Sequence, residues 1–191
     1  MRHFAIAAGI LALAGSMATA QSSTWVSDPA HSEVDFTITH LAISNVHGRF
    51  GKVAATLMYD QADVAKSNVK ATIDISTVDT SEEARNNHLK TPDFFDVAQF
   101  PTATFTSTSV AKSSSGLVVN GNLTLHGVTQ SVVLNVEGPT GPVQGMDKKQ
   151  HAGFSATTTI SRTAFGIGAK FPGAMVGDEV KLSIDLDVAK Q

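Results

Sequence analysis

Apolar side chains recur at every second position through most of this chain. That period of two constrains the fold more than any other feature, because it sends alternate residues to opposite faces of a strand. Val34, Phe36, Ile38 and His40 form the first row. Phe50 precedes a second row of Val53, Ala55, Leu57 and Tyr59, offset by one residue around "GRFGK", where glycine tolerates a bulge. Val69, Ala71, Ile73 and Ile75 follow, then Ala103, Phe105 and Ser107, then Leu117, Val119, Gly121, Leu123 and Leu125. Val132, Leu134 and Val136 make the sixth row, and Ala152, Phe154, Ala156, Thr158 and Ile160 the seventh. Val180, Leu182, Ile184, Leu186 and Val188 complete the series.

Eight rows joined mostly by short turns predict an all-β fold, an antiparallel meander that removes its exposed edges by closing into a barrel. An eight-stranded barrel is just wide enough either to fill with side chains or to hold one elongated ligand. The inward rows mix Phe and Leu with Ala, Gly, Ser and Thr, a composition that leaves room for a lumen.

Two stretches interrupt the pattern. "TSEEARNNHLK" begins with Thr80 or Ser81 three residues before an acid, a capping-box spacing, and predicts a helix over residues 81–90. Pro92 fits just beyond its end, because proline biases Thr91 toward extended geometry. "RTAFGIGAKFPGAMVGDEV" places Gly166, Gly168, Gly173 and Gly177 between the last two rows, which predicts a long, mobile loop at the barrel mouth.

The first twenty residues read as a cleavable secretory signal. Arg2 gives a positive start, "FAIAAGILALAG" an apolar core, and "ATA" ending at Ala20 a small-residue cleavage site. Residues 21–191 then form one domain, expected in the periplasm, with release beyond it left open. The chain has no cysteine, which argues against lipoprotein processing and thiol chemistry. Its formal net charge of −3 and lack of a basic run disfavour nucleic-acid binding, and "MDKK" reads as a solvated turn.

Catalytic and metal chemistry find little support. The histidines are scattered, and neither H-E-x-x-H nor paired cysteines occur. His40 and His47, near neighbouring strand ends, are the pair that could approach each other. G-x-S-x-G is absent, and Ser81 and His88 would lie roughly 10 Å apart along a helix, too far for a direct hydrogen bond. "GIGAKFPG" lacks phosphate-loop spacing. No catalytic residue, metal ligand or cofactor is therefore assigned.

Seven segments in order resemble the YceI family of periplasmic lipocalin-like proteins. They are "DPAHSEVDFTITH", "VHGRFG", "ARNNHLKTPDFFD", "FPTATF", "GNLTLHGVTQ", "SRTAFG" and "VGDEVKLSIDLDV", running from Asp28 to Val188 within a resemblance that covers Trp25 to Val188. The resemblance implies an eight-stranded antiparallel lipocalin-like barrel with a helical insertion. Its lumen would hold a polyisoprenoid, an isoprenoid quinone or a related chain, without established catalytic residues or a metal. Related proteins suggest a homodimer, and a quinone ligand would suit partnership with a membrane cytochrome. Ala164 departs from the pattern, since an acidic residue is common there, so no polar partner is carried over to Arg162.

Binding has a simple energetic account. A chain of eight prenyl units losing roughly 600 Å² of apolar surface gains about 15 kcal/mol at ~25 cal/mol per Å². Ordering and association cost on the order of 4–15 kcal/mol, so the net runs from weak to tight. Phe36, Phe50, Phe105 and Phe154 are the strand aromatics expected along the wall, with Ile38, Ile73, Leu123 and Leu134 beside them. Leu89, Phe94 and Phe95 are expected to turn the apolar side of the insertion toward the barrel end. Phe165, Phe171 and Lys170 are expected in the mouth loop, with Lys170 meeting an anionic headgroup. An accessory enzyme acting on such a lipid and an envelope protein with a filled core are the alternative readings.

Overall fold

The computed structural model describes residues 22–191, so the predicted signal segment lies outside the described residues. Ten strands form one antiparallel sheet. They are β1 (Ser23–Ser27), β2 (Glu33–His40), β3 (Ser44–Phe50), β4 (Val53–Tyr59), β5 (Asn68–Asp74), β6 (Thr102–Ser113), β7 (Gly116–Leu125), β8 (Val128–Gln144), β9 (Gln150–Ser161) and β10 (Val176–Lys190). The ten strands make eight staves, because β1 and β2 lie end to end along β10, with Ser27 opposite Val188 and Val34 opposite Ile184. On their other side, β4 pairs with β1 and β3 with β2. The β1–β10 pairing closes the ring, giving the eight-stranded antiparallel barrel expected from the alternating rows.

Two strands escaped the periodic reading. In β1 two inward positions are serines, and Ser27 is buried because its hydroxyl donates to the Val53 carbonyl (2.9 Å) and accepts from the Ala55 N–H (2.8 Å). In β3 one inward position is Gly48, so the apolar alternation breaks where the strand continues. The phenyl ring of Phe36 takes the space a side chain would need: a Cβ on Gly48 would sit 2.3 Å from Phe36 Cζ and 2.8 Å from Thr80 Cγ2. Gly121 receives the Phe105 ring in the same way, with a Cβ there 2.3 Å from Phe105 Cζ. Each ring therefore covers a glycine of the neighbouring strand.

The insertion occupies the place beside β3 that a strand would otherwise take. Only an Arg49–Asp79 bridge continues the sheet there, with N–H to carbonyl distances of 2.8 and 3.0 Å in the two directions. The helix, α1, spans Glu83–Leu89 rather than residues 81–90. Its N-cap is Glu82, whose carboxylate accepts from the Ala84 N–H (3.3 Å), and the expected capping box does not form. Ser81 has a left-handed φ of 61°, and Thr80 turns away from the helix start to bond Asn86 through both its N–H (2.8 Å) and its hydroxyl (2.6 Å). Seven residues make a marginal helix in isolation, so packing holds this one in place. Phe95 contributes by standing edge-on to Phe50 on the wall, with ring centroids 5.6 Å apart.

Candidate functional site

The barrel encloses a cavity of about 470 Å³, within the usual range of ligand pockets, ~300–1,000 Å³. Its lining runs from His40, Arg85 and Met175 at the insertion end to Met58, Ser67 and Asn68 at the turn between β4 and β5. Between these ends the wall is aliphatic and aromatic. Small residues, Ala71, Ala103 and Ala156, line it where larger side chains would close the bore. Beyond the lumen, Val64 in a short 3₁₀ turn joins Trp25 and Phe154 in the cluster that closes the lower core.

Most residues singled out from the sequence line this space. Phe36, Ile38, Phe50 and Ile73 do so from β2, β3 and β5, and Phe105, Leu123, Leu134 and Phe154 from β6 to β9. Leu89, Phe94 and Phe95 contribute from the insertion and Phe171 from the loop after β9.

Phe165 and Lys170 depart from their expected places. Phe165 is 1 % exposed and packed in the core, not on the cavity wall, and its carbonyl accepts a hydrogen bond from His126 Nδ1 (3.0 Å). Lys170 lies outside the wall because its Nζ is drawn 2.5 Å from Asp93 Oδ1. The same carboxylate accepts from His88 Nε2 (3.0 Å). Lys170, followed by His88, holds the Asp93 carboxyl below its ordinary pKa. This cluster ties the exit of α1 to the loop after β9. Above it Phe94 stacks on Phe171, and the His88 ring stands edge-on to both.

The mouth loop, expected to be glycine-hinged and mobile, is folded around Arg162, which is 3 % exposed. Its Nε donates to the Gly177 carbonyl (2.9 Å), Nη1 to those of Ile167 (2.9 Å) and Gly168 (2.6 Å), and Nη2 to those of Phe171 (2.7 Å) and Val176 (2.8 Å). All five guanidinium N–H groups are therefore used on main-chain acceptors. Backbone oxygens, not an acidic side chain, take up these donors. No residue pattern advertises such acceptors, so this role had no sequence signature.

At the opposite end, His151 is held from both sides, by Asp187 at Nδ1 (2.7 Å) and Asp147 at Nε2 (3.1 Å). The Asp187 bond and then the Asp147 bond raise its pKa above the ordinary histidine value. His40 and His47 are separated by register, His40 facing Ser44 and His47 facing Thr37. No group of three potential metal-ligating side chains gathers among the described residues.

A closed antiparallel barrel around an apolar bore is a lipocalin-like architecture. The chain belongs to the YceI family: it matches the YceI-like domain over residues 25–188. It is 36 % identical over 170 residues to a UPF0312 protein of Vibrio cholerae, covering 87 % of this chain and 89 % of that one. A Campylobacter jejuni YCEI protein of known structure superposes with a TM-score of 0.71 at 32 % identity, over 80 % of this chain and 90 % of that chain. A polyisoprenoid binding domain from Saccharophagus degradans shares the fold at 16 % identity and a TM-score of 0.64, covering 90 % of this chain and all of that one, 100 %.

Proposed function

We propose that this protein sequesters or carries a long isoprenoid-type amphiphile, a polyprenyl lipid or an isoprenoid quinone, in the barrel lumen without transforming it. The observation that carries this reading is the continuous apolar bore from Phe94 and Phe171 at the rim to Val110 and Leu117 deep in the barrel. Such a bore rewards a long, continuous run of apolar surface and offers the middle of the chain no reactive group. Support also comes from the shared fold of the Saccharophagus degradans polyisoprenoid binding domain. The secretory signal read in the sequence of Met1–Ala20 supports a periplasmic setting for this role, where apolar chains need cover between membranes.

Organic-solvent extraction of purified protein followed by mass spectrometry tests the reading. A long-chain prenyl lipid near one per protein is the expected result. Protein that emerges ligand-free and then fails to take up prenyl lipids would overturn it.

A further inference from the structure

The rim of the lumen carries a cation whose mounting is more elaborate than solvation requires. Arg85 donates from Nε to the Thr80 hydroxyl oxygen (2.8 Å) and from Nη2 to the Thr80 carbonyl (2.8 Å). Thr80 is 5 % exposed and is itself fixed by Asn86, whose Nδ2 donates to Asp79 Oδ1 (3.2 Å). Beneath it lies Gly48, where a Cβ would stand 2.8 Å from the Thr80 methyl. Four residues from three segments thus hold one guanidinium in a single orientation against the cavity wall.

That mounting uses one edge of the group. Of five N–H donors, Thr80 engages two, which leaves both on Nη1 and one on Nη2, the pair of nitrogens that grips an anion end-on. None of the ion pairs among the described residues involves Arg85. Two other cations of this end are committed, Arg162 to five carbonyls and Lys170 to Asp93. Arg85 lines the cavity and is exposed, so it meets the lumen and solvent together.

We propose that Arg85 forms a headgroup subsite, binding a phosphate-type anion carried on the end of the apolar chain in the lumen. The inference rests on the lipid-binding reading above and moves the anion contact from Lys170 to Arg85. A fixed guanidinium with a free fork matches two phosphate oxygens, and its fixed orientation lowers the ordering cost of binding.

Titrating delipidated protein with geranylgeranyl phosphate and geranylgeraniol, which share one chain, tests the subsite. Wild type is expected to favour the phosphate by about ten- to a hundredfold, the range of a hydrogen-bonded charge. Arg85→Gln should abolish that preference by weakening the phosphate far more than the alcohol, with far-ultraviolet circular dichroism reporting an intact barrel. Arg85→Lys, which keeps the charge and loses the fork, should retain part of the preference and serves if the glutamine variant is unstable. Inorganic phosphate separates a lipid headgroup from a free anion, and is expected to displace the prenyl phosphate only at far higher concentration. An unchanged ratio in both variants, or inorganic phosphate binding as tightly as the prenyl phosphate, overturns the subsite alone. Failure of wild type to bind either prenyl compound overturns the subsite together with the lipid-binding reading.

Discussion

Phe94 stacks on Phe171 with ring centroids 4.9 Å apart and ring planes within 11° of parallel. This contact joins the insertion between β5 and β6 to the loop between β9 and β10, and both rings line the lumen. Beside it, Asp93 links His88 to Lys170 across the same two segments. Together these contacts form a latch over one end of the barrel.

An offset aromatic pair contributes about 0.5–1.5 kcal/mol beyond its burial. Phe171→Ala and Phe94→Ala should each speed lipid release several-fold, and a double-mutant cycle on release rates should show that the two effects are not independent. Release rates equal to wild type in both variants would make the pair simple packing.

Arg162→Met removes the donors of five carbonyls at once, two of them buried and three half-buried. The expected loss is about 3–5 kcal/mol, read as a fall in melting temperature on the order of 10 °C. Arg162→Lys should recover only part of it, since an ammonium has three donors on a flexible stem. A melting temperature within 2–3 °C of wild type for the methionine variant would contradict the arginine's structural role, being about the shift for 1 kcal/mol in a chain this size.

The rows of Phe36, Leu57, Leu123 and Ile184 made the barrel legible because each stave buries one face, and burial leaves a trace at every second residue. β1 and β3 were hidden where inward positions are Ser27 and Gly48, whose fit depends on the Val53 carbonyl and the Phe36 ring, partners distant in sequence. Most of the lumen wall follows from the same alternation, whereas the rim does not. Arg85 and Lys170 are alike in the sequence as exposed-type cations. Only three-dimensional placement assigns one to Thr80 at the lumen and the other to Asp93 outside it. The misplaced helix start has a similar origin, since the Thr80 hydroxyl donates to Asn86 Oδ1 and accepts from Arg85 Nε instead of accepting a backbone N–H of the first turn.

Gly48→Ala brings a methyl into contact with Phe36 and Thr80 together. Overpacking of this kind costs about 1–3 kcal/mol. Because Thr80 carries Arg85, the variant should also lose preference for a prenyl phosphate over the alcohol, measurable in the same titrations.

His151 lies between two carboxylates, and both ring nitrogens donate only when the imidazole is protonated. With a folded pKa raised above the unfolded value, its contribution to stability is complete below about pH 6.5. It fades as the pH climbs through the raised folded value. Melting temperatures of wild type and His151→Gln between about pH 5 and 9 should therefore differ most at the acid end and converge at the alkaline end. A gap that widens with rising pH would reverse the assignment.

The central claim is that the bore, not the outer surface, holds the chain. Ala71 and Ala156 both line it, so a phenyl group at either site takes up part of the bore. Native mass spectrometry of Ala71→Phe and Ala156→Phe after exposure to a long prenyl lipid measures occupancy directly. Folded protein with bound lipid reduced well below one per chain is expected in both variants. Full one-to-one occupancy in both, at wild-type affinity, would contradict it.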